Sequence, residues 1–304
     1  MNVLIVRPGA LGDTLMLMPS MACLREKVSL TFVGRRPGLD FLQTHVSACL
    51  DFEGPGWHRL FLEMPDDHGL PICQADLVVA FFNDKDGRIR HNLNTFLPNV
   101  PVHVFSSLPP EGATIHAALY IAECLKSSGL PIEPKKSIDC AVRGFLFGAI
   151  CPRTRRSGFV FHPGSGDSRK NHPPEFWLNL ILRVARTTDL QGHKHTILLG
   201  PAEEALYPFF IENLQSSKVK ILVYPEKDQL TALLKTAALY FGHDSGITHL
   251  AAMSGTPTLA LFKESDVNQW RPLGPCVRVI RSNAHSSGMI IGEVLKTAKD
   301  LHFL

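Results

Sequence analysis

The amino-acid sequence predicts an α/β fold with a doubly wound parallel sheet in each half of the chain. Short continuous runs of Val, Ile, Leu and Phe alternate with stretches of helical apolar spacing, as in sheets covered on both faces. At 304 residues the chain exceeds the size of most single cores. The alternation lapses into Gly, Pro and Arg over residues 143–157 and then restarts. We therefore expect an N-terminal domain over 1–150 and a C-terminal domain over 151–286.

In the N-terminal half, apolar runs predict four strands and amphipathic stretches predict two helices. The strands are expected at 3–6, 30–33, 77–82 and 102–105, and the helices at 13–27 and 113–126. Each strand is a run of mainly β-branched or aromatic residues between polar segments. This order is typical of βαβ units and therefore of a parallel sheet.

The C-terminal half repeats the alternation more regularly. Strands are expected at 158–162, 196–199, 220–224, 239–242 and 258–262, and helices at 174–187, 203–214, 229–237 and 245–254. A last helix, within 287–304, is expected to pack back on the N-terminal domain. Because ligands of doubly wound sheets bind at the carboxyl ends of the strands, both sheets would present their Gly-rich turns to a central cleft.

Composition and charge exclude several functional classes. The chain is 45% hydrophobic and 19% charged, as in a well-cored globular protein, and its formal charge is only +3. This balance gives no support to nucleic-acid binding, which needs a concentrated basic surface. The N-terminal half carries −2 and residues 151–304 carry +5. An anionic ligand would therefore suit the C-terminal half, although scattered surface lysines produce the same count.

Cysteine and apolar patterns indicate the compartment. The seven cysteines form no C-x-x-C pair, which favours reduced thiols over a zinc module or a disulfide framework. No apolar run reaches the 18 or so residues of a membrane span, and the first residues predict a strand rather than a signal peptide. We expect a cytoplasmic protein. The histidines lack a carboxylate pair at ligand spacing, so no metal or other cofactor is expected.

Three Gly-rich turns, each directly after a predicted strand, carry the candidate chemistry. The first contains Gly9, Gly12 and Asp13. Its glycines let a substrate approach the backbone, and Asp13 could take a proton from an attacking hydroxyl. The alternative for Asp13 is structural, because carboxylates are common in the first turn of a helix. Arg35 and Arg36, after the second strand, could contact an anionic acceptor.

The second turn, after the strand at 158–162, contains Ser165 and Gly166, with Lys170 a few residues later. The Ser165 hydroxyl and nearby amides could bind phosphate oxygens. Lys170 is close enough in the chain for its ammonium to reach a diphosphate. A loop lysine is, however, more often only solvated.

The third turn, at residues 242–252, joins a strand to a helix N-terminus. The amides of Ser245, Gly246 and Ile247 lie where unpaired N–H groups and the helix dipole attract phosphate. Asp244 could either accept hydrogen bonds from sugar hydroxyls or act as the helix N-cap. His249 is either a packed helix residue or a phosphate contact.

Other nucleotide-binding and hydrolase patterns are absent. The first turn is not G-x-G-x-x-G, and basic residues stand where a dehydrogenase would carry an acid after its second strand. There is no Walker lysine motif, and Ser245 lacks the glycine pattern of a nucleophile elbow.

The three turns, in this order and spacing, resemble glycosyltransferase family 9, the bacterial heptosyltransferases of lipopolysaccharide core assembly. The matching segments are 6–13, 162–166 with Lys170, 173–177, 242–252 and 255–258. The similarity covers nearly the whole length. Family members often carry tryptophan two residues after the lysine, where this chain has His172.

The resemblance implies a GT-B architecture, with the acceptor bound by the N-terminal domain and a nucleotide-sugar by the C-terminal domain. It assigns the general base to Asp13 and the phosphate-neutralising lysine to Lys170. The family's Asp-Ser/Thr-Gly-x-x-His turn corresponds to Asp244, Ser245, Gly246 and His249. It implies an inverting, metal-independent transfer from ADP-heptose to a lipopolysaccharide core sugar. The lipid-linked acceptor would place the protein at the cytoplasmic face of the inner membrane.

Three alternatives remain at this stage. The enzyme could use another nucleotide-sugar or a protein acceptor. It could be a sugar-nucleotide epimerase, which needs acid–base groups around the bound sugar but no second substrate. It could also be a non-catalytic binder of nucleotide-sugars.

Overall fold

The computed structural model describes residues 1–72, 74–144, 146, 156–188, 194–215, 219–282 and 286–300. Most of the predicted linker at 143–157 lies outside these residues. The chain divides into an N-terminal unit, Met1–Cys140, and a C-terminal unit, Ala141–Leu304. This division falls before the expected boundary at residue 150.

The N-terminal unit contains a five-stranded, wholly parallel sheet. Its strands are β1 (Asn2–Val6), β2 (Ser29–Gly34), β3 (Ala48–Asp51), β4 (Leu77–Phe81) and β5 (Val102–Phe105). Their order across the sheet is β3-β2-β1-β4-β5. β4 is buried along its whole length, which explains its continuous apolar sequence. The half-buried edge strand β3 carries no such run, and the sequence did not predict it.

Among the described residues, six α-helices, the last of which runs two residues past the unit boundary, and one 3₁₀ helix (Trp57–Phe61) accompany this sheet. The α-helices are α1 (Leu11–Leu15), α2 (Met18–Leu24), α3 (Gly38–Leu42), α4 (Arg88–Phe96), α5 (Ala117–Ser127) and α6 (Pro134–Val142). The expected single helix at 13–27 is therefore wrong: it is interrupted between α1 and α2. Pro19, in the first turn of α2, has no N–H to continue the α-helical bonds.

The C-terminal unit contains a six-stranded parallel sheet. Its strands are β6 (Phe159–His162), β7 (His195–Leu199), β8 (Val219–Val223), β9 (Leu239–His243), β10 (Thr258–Phe262) and β11 (Val277–Arg281), in the order β11-β10-β9-β6-β7-β8. The expected strands are confirmed. β11 is an additional edge strand whose buried and exposed residues are mixed.

In the described part of the C-terminal unit, six α-helices and two 3₁₀ helices (Ser168–Lys170 and Pro201–Leu206) accompany this second sheet. The α-helices are α7 (Pro174–Thr188), α8 (Tyr207–Asn213), α9 (Lys227–Thr236), α10 (Gly246–Met253), α11 (Val267–Trp270) and α12 (Ser287–Asp300). The segment predicted as one helix at 203–214 forms a 3₁₀ helix followed by α8, which has Pro208 in its first turn.

The core of the C-terminal unit is rich in aromatic side chains. Phe161 and Phe241, on the adjacent strands β6 and β9, stack with centroids 4.8 Å apart. Ile290, Ile291 and Val294 of α12 belong to this core. The apolar face of α12 is therefore buried in the core of its own unit. The expectation that the last helix packs back on the N-terminal domain stays a prediction.

The topology singles out one position in each sheet. The strand order reverses between β1 and β4 in the first sheet and between β6 and β9 in the second. Ligands of doubly wound sheets bind at the carboxyl ends of the strands beside such a switch point. All three Gly-rich turns follow strands that flank a switch point. Among the described residues, no helix is long and apolar enough to span a membrane.

Candidate functional site

An ion pair joins the two turns at the switch point of the second sheet. Lys170 Nζ lies 2.7 Å from Asp244 Oδ2, although the two residues are far apart in the sequence. The Ser168–Lys170 3₁₀ helix carries the lysine after β6, and Asp244 directly follows β9. The lysine side chain is 31% exposed, so its ammonium can also meet a ligand.

Asp244 is buried and receives hydrogen bonds from several directions. Ser265 donates to Oδ2, and His249 Nε2 lies 3.5 Å from Oδ1. Burial alone would raise the pKa of this carboxyl group. The hydrogen bonds from His249, Lys170 and Ser265 outweigh burial and hold the pKa of Asp244 well below its ordinary value. The carboxylate is therefore ionised and fixed in orientation.

The N-terminus of α10 lies beside this carboxylate. Ser245 is its N-cap, and the Ser245 hydroxyl accepts the N–H of Thr248. The alternative that Asp244 is the N-cap is therefore wrong. In the described part of the chain, the amides of Gly246 and Ile247 have no acceptor. They are the unpaired first-turn donors that a phosphate oxygen can use.

His249 is buried on the first turn of α10, facing Asp244. It is thus a packed helix residue that also positions the carboxylate. A contact between His249 and phosphate stays a prediction.

The turn after β6 is ordered by its own polar groups. The Ser165 hydroxyl contacts the Asp167 carbonyl oxygen at 2.9 Å and Asn171 Oδ1 at 2.7 Å. Since the hydroxyl has one proton, these acceptors share it, and Ser165 primarily holds the loop. Gly166 is exposed, and a Cβ there would meet no atom within 4 Å.

Gly164, in the same turn, lies against a buried acid. A Cβ at this position would overlap the Glu203 carboxylate. Glu203 accepts the Gly200 N–H at 2.9 Å and lies 3.6 Å from His162 Nε2. Burial raises the pKa of Glu203, but the bond from His162 and the Gly200 amide lower it below the ordinary value. The sequence analysis did not find Glu203.

Two buried imidazoles support the loop that carries Lys170. His243 Nε2 accepts the backbone N–H of His172 at 2.9 Å. The His172 ring stacks on Phe176 at 4.3 Å, and its Nε2 lies 2.8 Å from Ser282 Oγ. Burial, with the Lys263 charge as a smaller cause, lowers the pKa of His172 from 6.5 to about 4. Burial also lowers the pKa of His243 well below its ordinary value.

The switch point of the first sheet holds the other candidate, Asp13. Its Oδ2 accepts the Ala10 N–H at 3.2 Å, and its Oδ1 lies 3.8 Å from Arg7 Nη2. The structural role as a first-turn cap is therefore confirmed. The side chain is still 33% exposed, so an oxygen remains accessible. A Cβ on Gly9 would lie 2.6 Å from Asp13 Cβ, so only glycine fits there, and Gly12 lies within α1.

Arg7 is a buried cation that forms an ion pair with the Asp13 carboxylate. Its side chain is 2% exposed, lies 5.2 Å from the Phe81 ring centroid, and donates from Nε to the Asp13 carbonyl oxygen. Burial lowers the pKa of Arg7, and the Asp13 charge opposes this. The sequence analysis did not single out Arg7, although its position directly after an apolar strand is the relevant signal.

Arg35 and Arg36 follow β2 at the same carboxyl edge, but local acids neutralise both. Arg35 pairs with Glu53 and lies over the Phe52 ring. Arg36 Nη1 lies 2.6 Å from Asp40. Their role in acceptor binding stays a prediction. Within the described residues, no three His, Cys, Asp or Glu side chains converge as a metal site would require.

Comparison with known proteins identifies the family. Residues 133–290, just over half of the chain, match the model of glycosyltransferase family 9 (heptosyltransferase). No curated protein matches the sequence. Among solved structures, the E. coli heptosyltransferase WaaC with ADP has a TM-score of 0.68 and 14% identity, covering 99% of both chains. E. coli ADP-heptose LPS heptosyltransferase II has a TM-score of 0.64 and 15% identity, covering 99% of this chain and 100% of that one.

The fold extends to enzymes of a different reaction class. The UDP-GlcNAc 2-epimerase of Neisseria meningitidis, bound to UDP-GlcNAc, has a TM-score of 0.51 and 15% identity, covering 100% of this chain and 93% of that chain. At such identities the structural likeness establishes only the GT-B arrangement of two parallel-sheet units.

Gly164→Ala tests the contact between the β6 turn and Glu203. The new methyl group would displace a buried carboxylate that His162 and the Gly200 amide hold in place. We expect a loss of about 1–3 kcal/mol in the free energy of unfolding, measured by chemical denaturation. The matched control is Gly166→Ala in the same turn, which should change stability very little. Equal stabilities of the two variants would contradict the contact.

The buried imidazoles predict an acid-side loss of stability. The folded protein keeps His172 neutral down to about pH 4, whereas the unfolded chain binds a proton near pH 6.5. The unfolded state therefore holds more protons in between, and the stabilisation present above pH 6.5 is lost as the pH falls. Unfolding free energies measured between pH 7 and 5 should decrease, and less steeply in His172→Gln. A flat profile would contradict the buried neutral state.

Proposed function

This chain belongs to glycosyltransferase family 9 and is a glycosyltransferase; from that premise we propose that it moves a heptose from ADP-heptose to a hydroxyl of a lipopolysaccharide core sugar. The transfer inverts the anomeric centre and needs no metal ion. The single observation that carries this proposal is the Lys170–Asp244 ion pair beside the free amides of α10. These groups offer one cation and two fixed donors to a diphosphate.

The C-terminal unit would hold the donor. The Gly246 and Ile247 amides and the α10 dipole would bind one phosphate, and the half-exposed ammonium of Lys170 would bind the other. Asp244 keeps that ammonium in place by an ion pair and stays ionised because of its hydrogen bonds. It could also accept a sugar hydroxyl. Such preorganised charge can stabilise a departing diphosphate in place of a divalent ion.

The N-terminal unit would supply the general base. Asp13 is held by Arg7 and the Ala10 amide with one face accessible to solvent. It would accept the proton of the acceptor hydroxyl as that oxygen attacks the anomeric carbon. The attack comes from the face opposite the diphosphate, so the bond to the leaving oxygen breaks as the new glycosidic bond forms. The proton goes to Asp13 and the electron pair to the diphosphate.

The identity of the substrates is inferred from the similar proteins. The family is described as heptosyltransferase, and the structurally similar E. coli proteins are a heptosyltransferase with ADP and an ADP-heptose LPS heptosyltransferase. We propose the same donor and acceptor class here, with work at the cytoplasmic face of the inner membrane. Arg35 and Arg36 remain the proposed acceptor contacts, in competition with their local acids.

A panel of nucleotide-sugars tests the donor. A ligand that binds only the folded protein stabilises it by mass action and thereby raises its melting temperature. At a ligand concentration one hundred times the Kd, the free energy of unfolding increases by about 2.7 kcal/mol. We expect stabilisation by ADP-heptose and ADP, and less by UDP- or dTDP-sugars, in a thermal-shift measurement without added metal. A preference for a uridine or thymidine nucleotide-sugar would contradict the assignment of ADP-heptose as the donor. Turnover of a nucleotide-sugar without any acceptor would instead indicate an epimerase.

Asp13→Asn and Lys170→Met test the roles of the two units. Asp13→Asn should lower kcat about 10²–10⁴-fold while leaving the Kd of ADP-heptose unchanged. Lys170→Met should weaken ADP binding by about 10- to 100-fold, the value of a lost charged hydrogen bond. The control is Asp76→Asn, whose carboxylate accepts the Asn2 N–H at the amino end of the sheet. Normal transfer by Asp13→Asn would exclude Asp13 as the base.

A further inference from the structure

A cavity of about 410 Å³ adjoins the Lys170–Asp244 ion pair in the C-terminal unit. One wall is the end of the β6 loop, with Arg169 and Lys170, and the other is the loop after β10, with Glu264, Ser265 and Trp270. Lys170 and Ser265 both contact Asp244 from this cavity. The cavity therefore begins where the proposed diphosphate cradle ends. Its volume lies in the usual range of small-molecule pockets.

The basic side chains that line this cavity are already in ion pairs. Arg169 makes a bidentate pair with Asp167, with Nη2 2.7 Å from Oδ2, and these bonds lower the pKa of Asp167 to about 2. Lys170 is paired with Asp244. Each of these two cations already has an acidic partner, whereas the carboxylates of Glu264 and Asp266 at the rim have no cation paired with them in the described part of the chain, so negative charge is in excess there. A ligand part with its own negative charge would be repelled there.

Glu264 and Asp266 differ in how far their carboxylate oxygens are already hydrogen-bonded. Asp266 accepts the Asn268 N–H at 2.9 Å as the N-cap of α11. Glu264 is exposed and makes no hydrogen bond in the described part of the chain, although it attracts Arg169 electrostatically. Its oxygens are therefore available to the hydroxyl groups of a ligand.

Trp270 supplies the aromatic wall of the cavity. It is half-buried at the end of α11, and its backbone N–H is bonded to the Asp266 carbonyl oxygen at 3.0 Å, which fixes where the side chain starts. An indole ring has a negative face. The slightly positive C–H groups of a sugar ring pack well on such a face, whereas its hydroxyls need acceptors such as Glu264.

We propose that this cavity takes the sugar ring of the donor, with Trp270 as the stacking platform and Glu264 as a hydroxyl acceptor, and that this sugar carries no acidic group. The inference rests on the proposed function, since it assumes a diphosphate at Lys170 and α10. It adds two specificity-determining residues, Trp270 and Glu264, and a physical reason why the site would prefer neutral sugars to uronates. Neither Glu264 nor Trp270 lies in the Gly-rich turns.

Calorimetric titration of ADP and ADP-heptose, without acceptor, tests the stacking platform. In Trp270→Ala the Kd of ADP-heptose should rise about three- to tenfold, as expected for losing an aromatic contact, and the Kd of ADP should not change. Trp270→Phe should recover most of the affinity. Tyr207→Ala, which removes an exposed aromatic residue outside the cavity lining, is the matched control and should bind both ligands normally.

Each other result overturns the inference in a distinguishable way. Equal weakening of ADP and ADP-heptose would assign the cavity to the nucleoside diphosphate. Unchanged binding of ADP and ADP-heptose by Trp270→Ala would show that the cavity is not part of the donor site, and the proposed function would still stand. If the wild-type protein binds neither ligand, the proposed donor itself fails and the inference falls with it.

Competition against ADP-heptose tests the charge. ADP-glucuronate should compete at least about tenfold more weakly than ADP-glucose, because Glu264 and Asp266 repel its carboxylate. Glu264→Gln should reduce the difference in affinity between ADP-glucose and ADP-glucuronate. It should also raise the Kd of ADP-heptose a few-fold. Equal competition by the two ADP-sugars in the wild-type protein would overturn the preference for neutral sugars.

Discussion

The ion pair between Lys170 and Asp244 organises the C-terminal unit at its switch point. A buried carboxylate is costly unless it is paired and hydrogen-bonded. Asp244 meets this requirement by drawing together the loop after β6 through Lys170, the first turn of α10 through His249, and the loop after β10 through Ser265. The order of the strands makes these segments neighbours. The same contacts leave the ammonium partly exposed and the Gly246 and Ile247 amides without an acceptor among the described residues, and the proposed donor chemistry depends on that arrangement.

In the N-terminal unit, pairing with a charged side chain and an amide likewise holds the carboxylate of Asp13 in place. The carboxylate caps α1 through the Ala10 amide and compensates the buried charge of Arg7. A structural role and a proposed catalytic role therefore coincide in one side chain. They are compatible because the cap occupies one side of the carboxylate and a third of the side chain remains exposed. The close approach of Gly9 to Asp13 explains the glycine in this turn without any reference to a ligand.

Fold and chemistry separate clearly in this protein. Transferases and an epimerase share the arrangement of two parallel-sheet units, so the arrangement alone does not decide the reaction. Membership of glycosyltransferase family 9 decides it. What distinguishes one member from another lies in the loops at the carboxyl ends of the strands. In this chain the segment that follows β10, with Glu264 in the loop and Trp270 at the end of α11, is the one from which we infer sugar specificity.

The sequence by itself determined the two parallel sheets, their principal strands and the three Gly-rich turns, because buried parallel strands leave continuous apolar runs. It did not predict the edge strand β11, whose pattern is mixed, or the break between α1 and α2 at Pro19. Only the tertiary structure decided that Ser245, not Asp244, caps α10, that α12 is buried in the C-terminal unit, and that Glu203 lies against Gly164. The positions of α12 and Glu203 depend on contacts between residues distant in the chain, and Ser245 rather than Asp244 caps α10 while Asp244 pairs with the distant Lys170. Local spacing does not encode which carboxylate meets which partner.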